Sequence, residues 1–203
     1  MMQMDERKFR AITVYCASSN AVEERYMELA AEAGREIARR GMEMVYGGGA
    51  VGMMGRAADA ALEAGGRVRG VITRHLETYE VSHPGITQLE TVETMHERKL
   101  AMTVAGDAFF VLPGGFGTLD EAMEAITWKQ LRIHTKPIVI VNTFGYFDTL
   151  LRFFDEAVER LFIHEDNLRL FEVAANIGEA FEKLATAEMP DQEPSPLWRA
   201  PRP

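Results

Sequence analysis

The chain has one cysteine, Cys16, so no disulfide can form within it, and a small scaffold stapled by disulfides is excluded. So little cysteine fits a reducing compartment, and the expected location is cytoplasmic. Long apolar runs are also missing. Nothing approaches the ~20 uninterrupted apolar residues of a membrane-spanning helix, so no membrane partner is expected. The opening Met1-Met2-Gln3-Met4-Asp5-Glu6-Arg7-Lys8 lacks the apolar centre of a secretory signal. Positive charge is in deficit: 22 Lys and Arg stand against 31 Asp and Glu, a net charge of −9. An acidic surface repels phosphodiester backbones, so nucleic acid is not an expected partner. A small anion remains open if a few cations line its pocket. The five histidines, His75, His83, His96, His134 and His164, show neither HxxxH spacing nor a cysteine partner, and no metal is expected. No G-x-S-x-G elbow or Ser-His-Asp order occurs.

What is present is an ordinary globular composition. Of 203 residues, 47% are apolar and 26% charged, enough to fold as one domain. Residues 1–8 read as a flexible start. Residues 189–203 hold five of the eight prolines and read as a mobile tail, with Trp198 its only feature able to dock. The expected domain is therefore 9–188.

Within it, short apolar runs alternate with helical periodicity. Strands are expected at Phe9–Cys16, Met42–Tyr46, Arg67–Thr73, Ala108–Leu112 and Pro137–Asn142. Helices are expected at Val22–Arg40, Met53–Ala64, Thr94–Ala105, Thr118–Leu131, Tyr146–Leu161 and Ile177–Ala185, with Gly41 stopping the first. This alternation predicts an α/β domain, a doubly wound parallel sheet with helices on both faces. Ligands of such sheets sit beyond the carboxyl ends of the strands, where strand order reverses.

Two glycine loops fall at such ends. The first, Tyr46-Gly47-Gly48-Gly49-Ala50-Val51-Gly52, contains GxGxxG between a strand and a helix. It lacks the acidic ribose partner of a dinucleotide site, because the following strand ends in Thr73-Arg74. A tight turn that lets strand and helix pack closely explains it as well as any ligand. The second loop is Pro113-Gly114-Gly115-Phe116-Gly117-Thr118-Leu119-Asp120-Glu121. If Thr118 opens the helix, the free amides and the positive end of its dipole suit a phosphate. Thr118 and Glu121 also have the spacing of a capping box, in which Glu121 merely caps its own helix.

The helix between the loops carries Arg98 on the face of Met95 and Met102. Two readings are open there: a buried arginine paired or holding an anion, or one reaching past the methionines to water. Lys99 faces the same anion or solvent. Ser18-Ser19-Asn20 follows the first strand and is expected to cap the next helix. His134 reads as a solvated loop histidine. Trp128, off the core stripe of Leu119, Ala122, Met123 and Ile126, reads equally as an interface anchor or as packed under a nearby loop.

Together, the Pro113–Glu121 motif, the upstream Arg98-Lys99 pair and the Gly47–Gly55 loop resemble the Lonely Guy family of cytokinin-activating phosphoribohydrolases. Bacterial members of that family are often misnamed lysine decarboxylases. The resemblance runs from about Ile12 to Leu184 and departs from the family pattern at Ala17, Phe116, Asp120 and Arg132, the last replacing a glycine. It implies a homodimer of Rossmann-like subunits that cleaves the N-glycosidic bond of a nucleoside 5′-monophosphate. It further implies catalytic roles for Arg98 and Glu121, and substrate contacts from Glu80, Lys99, Gly114, Gly115, Phe116, Gly117, Thr118, Thr127, Ser18, Gly48 and Gly49. Such a hydrolysis calls for no cofactor, only water and charge. The alternative function is a non-catalytic nucleotide carrier or sensor built on the same loops.

Overall fold

Seven parallel strands are laid out in the order β4-β3-β2-β1-β5-β6-β7 in the computed structural model, which describes residues 9–77 and 82–187. The strands are β1 (Ala11–Tyr15), β2 (Glu43–Tyr46), β3 (Arg67–Thr73), β4 (Gln88–Val92), β5 (Ala108–Val111), β6 (Ile138–Val141) and β7 (Glu172–Ala174). Between them run α1 (Glu24–Arg39), α2 (Gly52–Glu63), the single turn α3 (Arg74–Glu77), α4 (Met95–Ala105), α5 (Phe116–Gln130) and α6 (Asp148–Glu159), with α7 (Ile177–Thr186) last. The expected flexible start, the Pro-rich tail with Trp198, and Glu80 lie outside the described residues.

The central strands are apolar on both faces because both faces are covered. Ile12, Val14, Phe110, Val139 and Val141 pack with α1, α2 and α7, whereas Tyr15, Phe109, Val111, Ile138 and Ile140 pack with residues of α4 and α5. This alternation follows from the two-residue repeat of a strand. The sheet order reverses between β1 and β5, and their carboxyl ends are tied together there. Leu112 N–H donates to Tyr15 O at 2.9 Å, and Ala17 N–H donates to Pro113 O at 3.1 Å. The predicted doubly wound fold is the one found.

Two strands escaped the periodicity, β4 and β7. Both are sheet edges, half solvated and partly polar, so neither carries the apolar run of a central strand. Three local expectations are corrected. α5 begins at Phe116 on Gly115, so Thr118 does not cap it and no Thr118–Glu121 capping box exists. The box is instead on α4, where Thr94 Oγ1 accepts from Glu97 N–H and Glu97 accepts from Thr94 N–H. Asn20 does not cap α1: its side chain accepts from Gly52 N–H at 2.7 Å and so serves α2. His134 is half-buried, not solvated. Its Nδ1 accepts from Lys136 N–H, so Nε2 carries the proton and donates to Ala125 O at 2.9 Å.

Four helices end in the same way. After α1, α2, α5 and α6, the second residue past the helix is left-handed and two backbone bonds close the end: Gly41, Gly65, Arg132 and Leu161. For Arg132 these are Arg132 N–H to Lys129 O and Ile133 N–H to Trp128 O, the Schellman pattern. Gly41 is the stop read from the sequence. Arg132 and Leu161 hold φ of 58° and 63° with a Cβ, which costs about 1–2 kcal/mol each.

Thus Arg132→Gly should raise Tm by about 1–3 °C, because part of that cost is returned through glycine's freedom when unfolded. Gly65→Ala should lower stability by about 1 kcal/mol, since a Cβ there meets nothing within 4 Å and only conformation opposes it. Equal Tm values for all three proteins would contradict the argument. Burial pushes His134 down to about 4 from its usual 6.5. The unfolded chain therefore binds this proton first, and stability present above pH 6.5 drains away as pH falls toward 4. His134→Gln should flatten the Tm profile across that window in a pH-resolved melting series.

Candidate functional site

The site is assembled by α4. The N-terminal turn of this helix brings Arg98 under the carboxyl ends of β2 and β3, where its side chain is buried (6% exposed). Nε donates to Val71 O and Nη2 donates to Gly47 O, each at 2.9 Å. Nη1 faces Glu121 Oε1 of α5 at 3.7 Å. Of the two readings open for Arg98, the buried one holds, and Met95 is the residue that remains exposed. A buried guanidinium is tolerated only where carbonyls and a counter-charge replace its water, and all three partners here are fixed by the sheet or by a helix start.

This contact also accounts for the first glycine loop. A Cβ on Gly47 would lie 2.0 Å from Arg98 Nη2. The loop is shaped to receive an arginine from its own chain. Gly48 holds φ of 79°, its carbonyl accepts from His83 N–H at 2.9 Å, and Gly49 bridges to Ser82. Both glycines are buried. Ser18 is exposed past β1, with its backbone against Gly52, where a Cβ would lie 2.4 Å from the Ser18 carbonyl carbon.

Across the β1–β5 reversal stands the second loop. The helical ladder of α5 opens with Leu119 N–H to Gly115 O at 3.0 Å, which leaves the amides of Gly115, Phe116, Gly117 and Thr118 outside it. Gly115, Phe116 and Gly117 are exposed, Phe116 at 94%, and a Cβ on Gly115 or Gly117 would meet nothing within 4 Å. Thr118 is buried, and a Cβ on Gly114 would lie 2.1 Å from its Oγ1. The result is an open helix start, positive by its dipole, beside the Arg98–Glu121 pair.

Lys99 stands on the flank of this arrangement. Its ammonium lies 3.0 Å from Glu124 and 3.2 Å from Asp120, both on α5. Burial alone would pull Lys99 down, but the hydrogen bonds to Glu124 and Asp120 outweigh it and hold its pKa above the usual lysine value. The lysine therefore stays charged and braces α4 to α5. Thr127 lies exposed on α5, two turns from Glu121, and lines a cavity of about 180 Å³ with Phe154, Phe162 and Leu170. Trp128 is half-buried.

Sequence reasoning missed Tyr15. It is buried at the carboxyl end of β1, shares a hydrogen bond with the Thr103 side chain, and lies within electrostatic reach of Glu121 and Arg98. Burial, followed by the Glu121 charge, pushes its hydroxyl far above the usual tyrosine range, so it remains neutral. The available signal was a tyrosine closing a first strand of small and β-branched residues. Cys16 is likewise raised by burial and by Glu121, which leaves an inert thiol. Among the described residues no group of His, Cys, Asp and Glu could hold a metal ion, and no helix is long and apolar enough to cross a membrane.

Comparison with known proteins adds three findings. The family described as "Possible lysine decarboxylase" matches residues 54–184. The chain is 41% identical over 191 residues to the cytokinin riboside 5′-monophosphate phosphoribohydrolase LOG of Oryza sativa subsp. japonica, covering 94% of this chain and 78% of that one. It is 39% identical over 183 residues to the phosphoribohydrolase LOG2 of Arabidopsis thaliana, covering 90% and 86%. Among solved structures, the molybdenum cofactor carrier protein of Chlamydomonas reinhardtii superposes with a TM-score of 0.67 at 22% identity, covering 87% and 96%. The molybdenum cofactor binding protein of Rippkaea orientalis gives 0.68 at 19%, covering 89% and 98%. At such identities these two show a shared fold.

The seating of Arg98 can be tested through the glycine beneath it. Gly47→Ala forces the guanidinium off its carbonyl and should cost about 1–3 kcal/mol, the usual range for overpacking a tight site. Gly115→Ala, in open space, should leave Tm within about 1 °C of the parent. Matching melting curves for the two variants would disprove the close contact.

Proposed function

The chain belongs to the Lonely Guy (LOG) family of phosphoribohydrolases, and from that membership we propose that it hydrolyses the N-glycosidic bond of N6-modified adenosine 5′-monophosphates. The products are the free base, a cytokinin or adenine, and ribose 5-phosphate. The observation that carries the reading is buried Arg98 paired with half-buried Glu121 beside the open start of α5.

In this reading the 5′-phosphate rests on backbone amides of the Gly114–Thr118 loop, where the helix dipole favours an anion. Glu121 accepts from the ribose hydroxyls and offsets positive charge as the C1′–N9 bond lengthens, as carboxylates do in other glycoside cleavages. Arg98 cannot move far, since two carbonyls hold it. Its Nη1 face is turned to Glu121 and orients that carboxylate. Water adds its oxygen to C1′, the electron pair of the broken bond stays with the base nitrogen, and the base leaves protonated by the proton that water gives up. Ser18, Gly48, Gly49, Lys99 and Thr127 are further substrate-contact proposals. For Lys99 the role is indirect, because its ammonium is already held by Glu124 and Asp120. The same pairing argues against a decarboxylase that forms a Schiff base through Lys99, since that chemistry needs a neutral amine.

We further propose a homodimer working in the cytoplasm. Leu100 and Val104, four residues apart on α4, are 51% and 69% exposed, and Leu131 and Ile133 past α5 are exposed as well. Light scattering should give twice the single-chain mass of 22.7 kDa, and a single-chain mass would refute the dimer.

Incubation with isopentenyladenosine monophosphate and AMP, followed by chromatography, should yield free base. Glu121→Gln should cut turnover by about 10²-fold or more and also lower Tm, because buried Arg98 loses its counter-charge. AMP should still raise the Tm of that variant, because its cradle is backbone. Binding without base release by the parent protein would assign the chain to the carrier alternative.

A further inference from the structure

The PGGFG loop is exposed on its outer side, and something must hold its amides in one direction if it is to bind an anion well. A side chain reaches it from another element. Tyr146, in the connection between β6 and α6, donates its hydroxyl to Gly114 O at 2.7 Å. Thirty-two residues separate the two.

The connection that carries Tyr146 is unusually constrained. Asn142 begins it: its N–H donates to Ala174 O at 2.7 Å, its side-chain carbonyl accepts from Phe147 N–H at 2.7 Å, and its amide donates to Asp148 Oδ1 at 2.8 Å. Thr143 Oγ1 donates to Ala175 O at 2.9 Å. Phe144 and Gly145 are then both left-handed, at φ of 60° and 69°. Glycine takes that conformation freely. Phenylalanine does not, and such strain persists only where the surroundings over-determine it. Here the Phe144 ring lies under the Arg25 guanidinium (4.8 Å) and edge-on to Tyr26 (5.5 Å). The turn presents Tyr146 edge-on to Tyr26 at 5.8 Å and to Phe147 at 4.9 Å. The ring is thus fixed by packing and the hydroxyl by direction.

We propose that Tyr146 is the positioning residue of the phosphate-binding loop: by holding the Gly114 carbonyl it aims the amides of Gly115 to Thr118 at the substrate's 5′-phosphate. The proposal rests on the function proposed above. Tyr146 touches no reacting atom. Its effect falls on affinity for the phosphate end of the nucleotide and not on the chemistry at C1′. Because Tyr146 is 43% exposed, removing its hydroxyl changes the core little.

Tyr146→Phe keeps the ring and deletes the bond. Its KM for a nucleoside monophosphate should rise about 2- to 10-fold, the range that one net hydrogen bond supports, with kcat within about 2-fold. Calorimetry with AMP and with adenosine supplies a readout independent of turnover. AMP affinity should fall by the same factor, while adenosine affinity should not change. Unchanged KM and AMP affinity, or an equal loss for AMP and adenosine, overturns the positioning role. A lowered Tm with unchanged affinities overturns it too and leaves a merely structural bond. If the parent protein binds AMP but releases no adenine, the hydrolase reading fails, and the AMP-to-adenosine comparison alone decides the role of Tyr146. If the parent binds no AMP, both readings fall.

Discussion

A guanidinium in the interior has to be met by oxygen on all sides, and much of this molecule is arranged to satisfy that demand for Arg98. Two of its donors go to carbonyls at the ends of neighbouring strands, and the remaining face goes to Glu121. Gly47 has no side chain because the arginine occupies the space that one would fill. Lys99, the next residue, binds the same helix that carries Glu121. Moving any of these elements would leave a buried charge without a partner, which costs several kcal/mol, so the geometry of the proposed site and the stability of this end of the sheet are one problem.

The parallel sheet supplies the other half of the design. Its order reverses between β1 and β5, the point at which ligands of such sheets sit beyond the carboxyl ends of the strands. There the chain sets a helix start in which Gly115 and Gly117 carry no side chain. An acidic protein can in this way offer a local site for an anion with little cationic side chain exposed: Arg98 and Lys99 are both buried, and the positive potential comes largely from backbone.

Some of this was legible in the sequence because it depends on local rules. Gly41 announced the end of α1, since a left-handed residue is needed there and glycine adopts it without cost. Arg132 and Leu161 do the same work without the signal, because α5 and α6 hold them in place through two backbone bonds each. β4 and β7 went unread because edge strands are wetted on one side and lose the apolar signature. The capping box assigned to Thr118 and Glu121 had the right spacing and the wrong helix register. α5 starts two residues earlier, at Phe116 on the cap Gly115, and Glu121 faces Arg98.

Periodicity and turn chemistry therefore determined the alternation of strand and helix, the two-sided sheet, and the end of it at which a ligand would sit. Those follow from contacts within a few residues and from the pattern of apolar side chains. Whether Arg98 is buried or solvated, what the first glycine loop receives, and where Lys99 and the Tyr146 hydroxyl point were decided only by tertiary structure. Each of these joins residues 20 or more positions apart, and no local preference encodes which carbonyl or carboxylate will be waiting there.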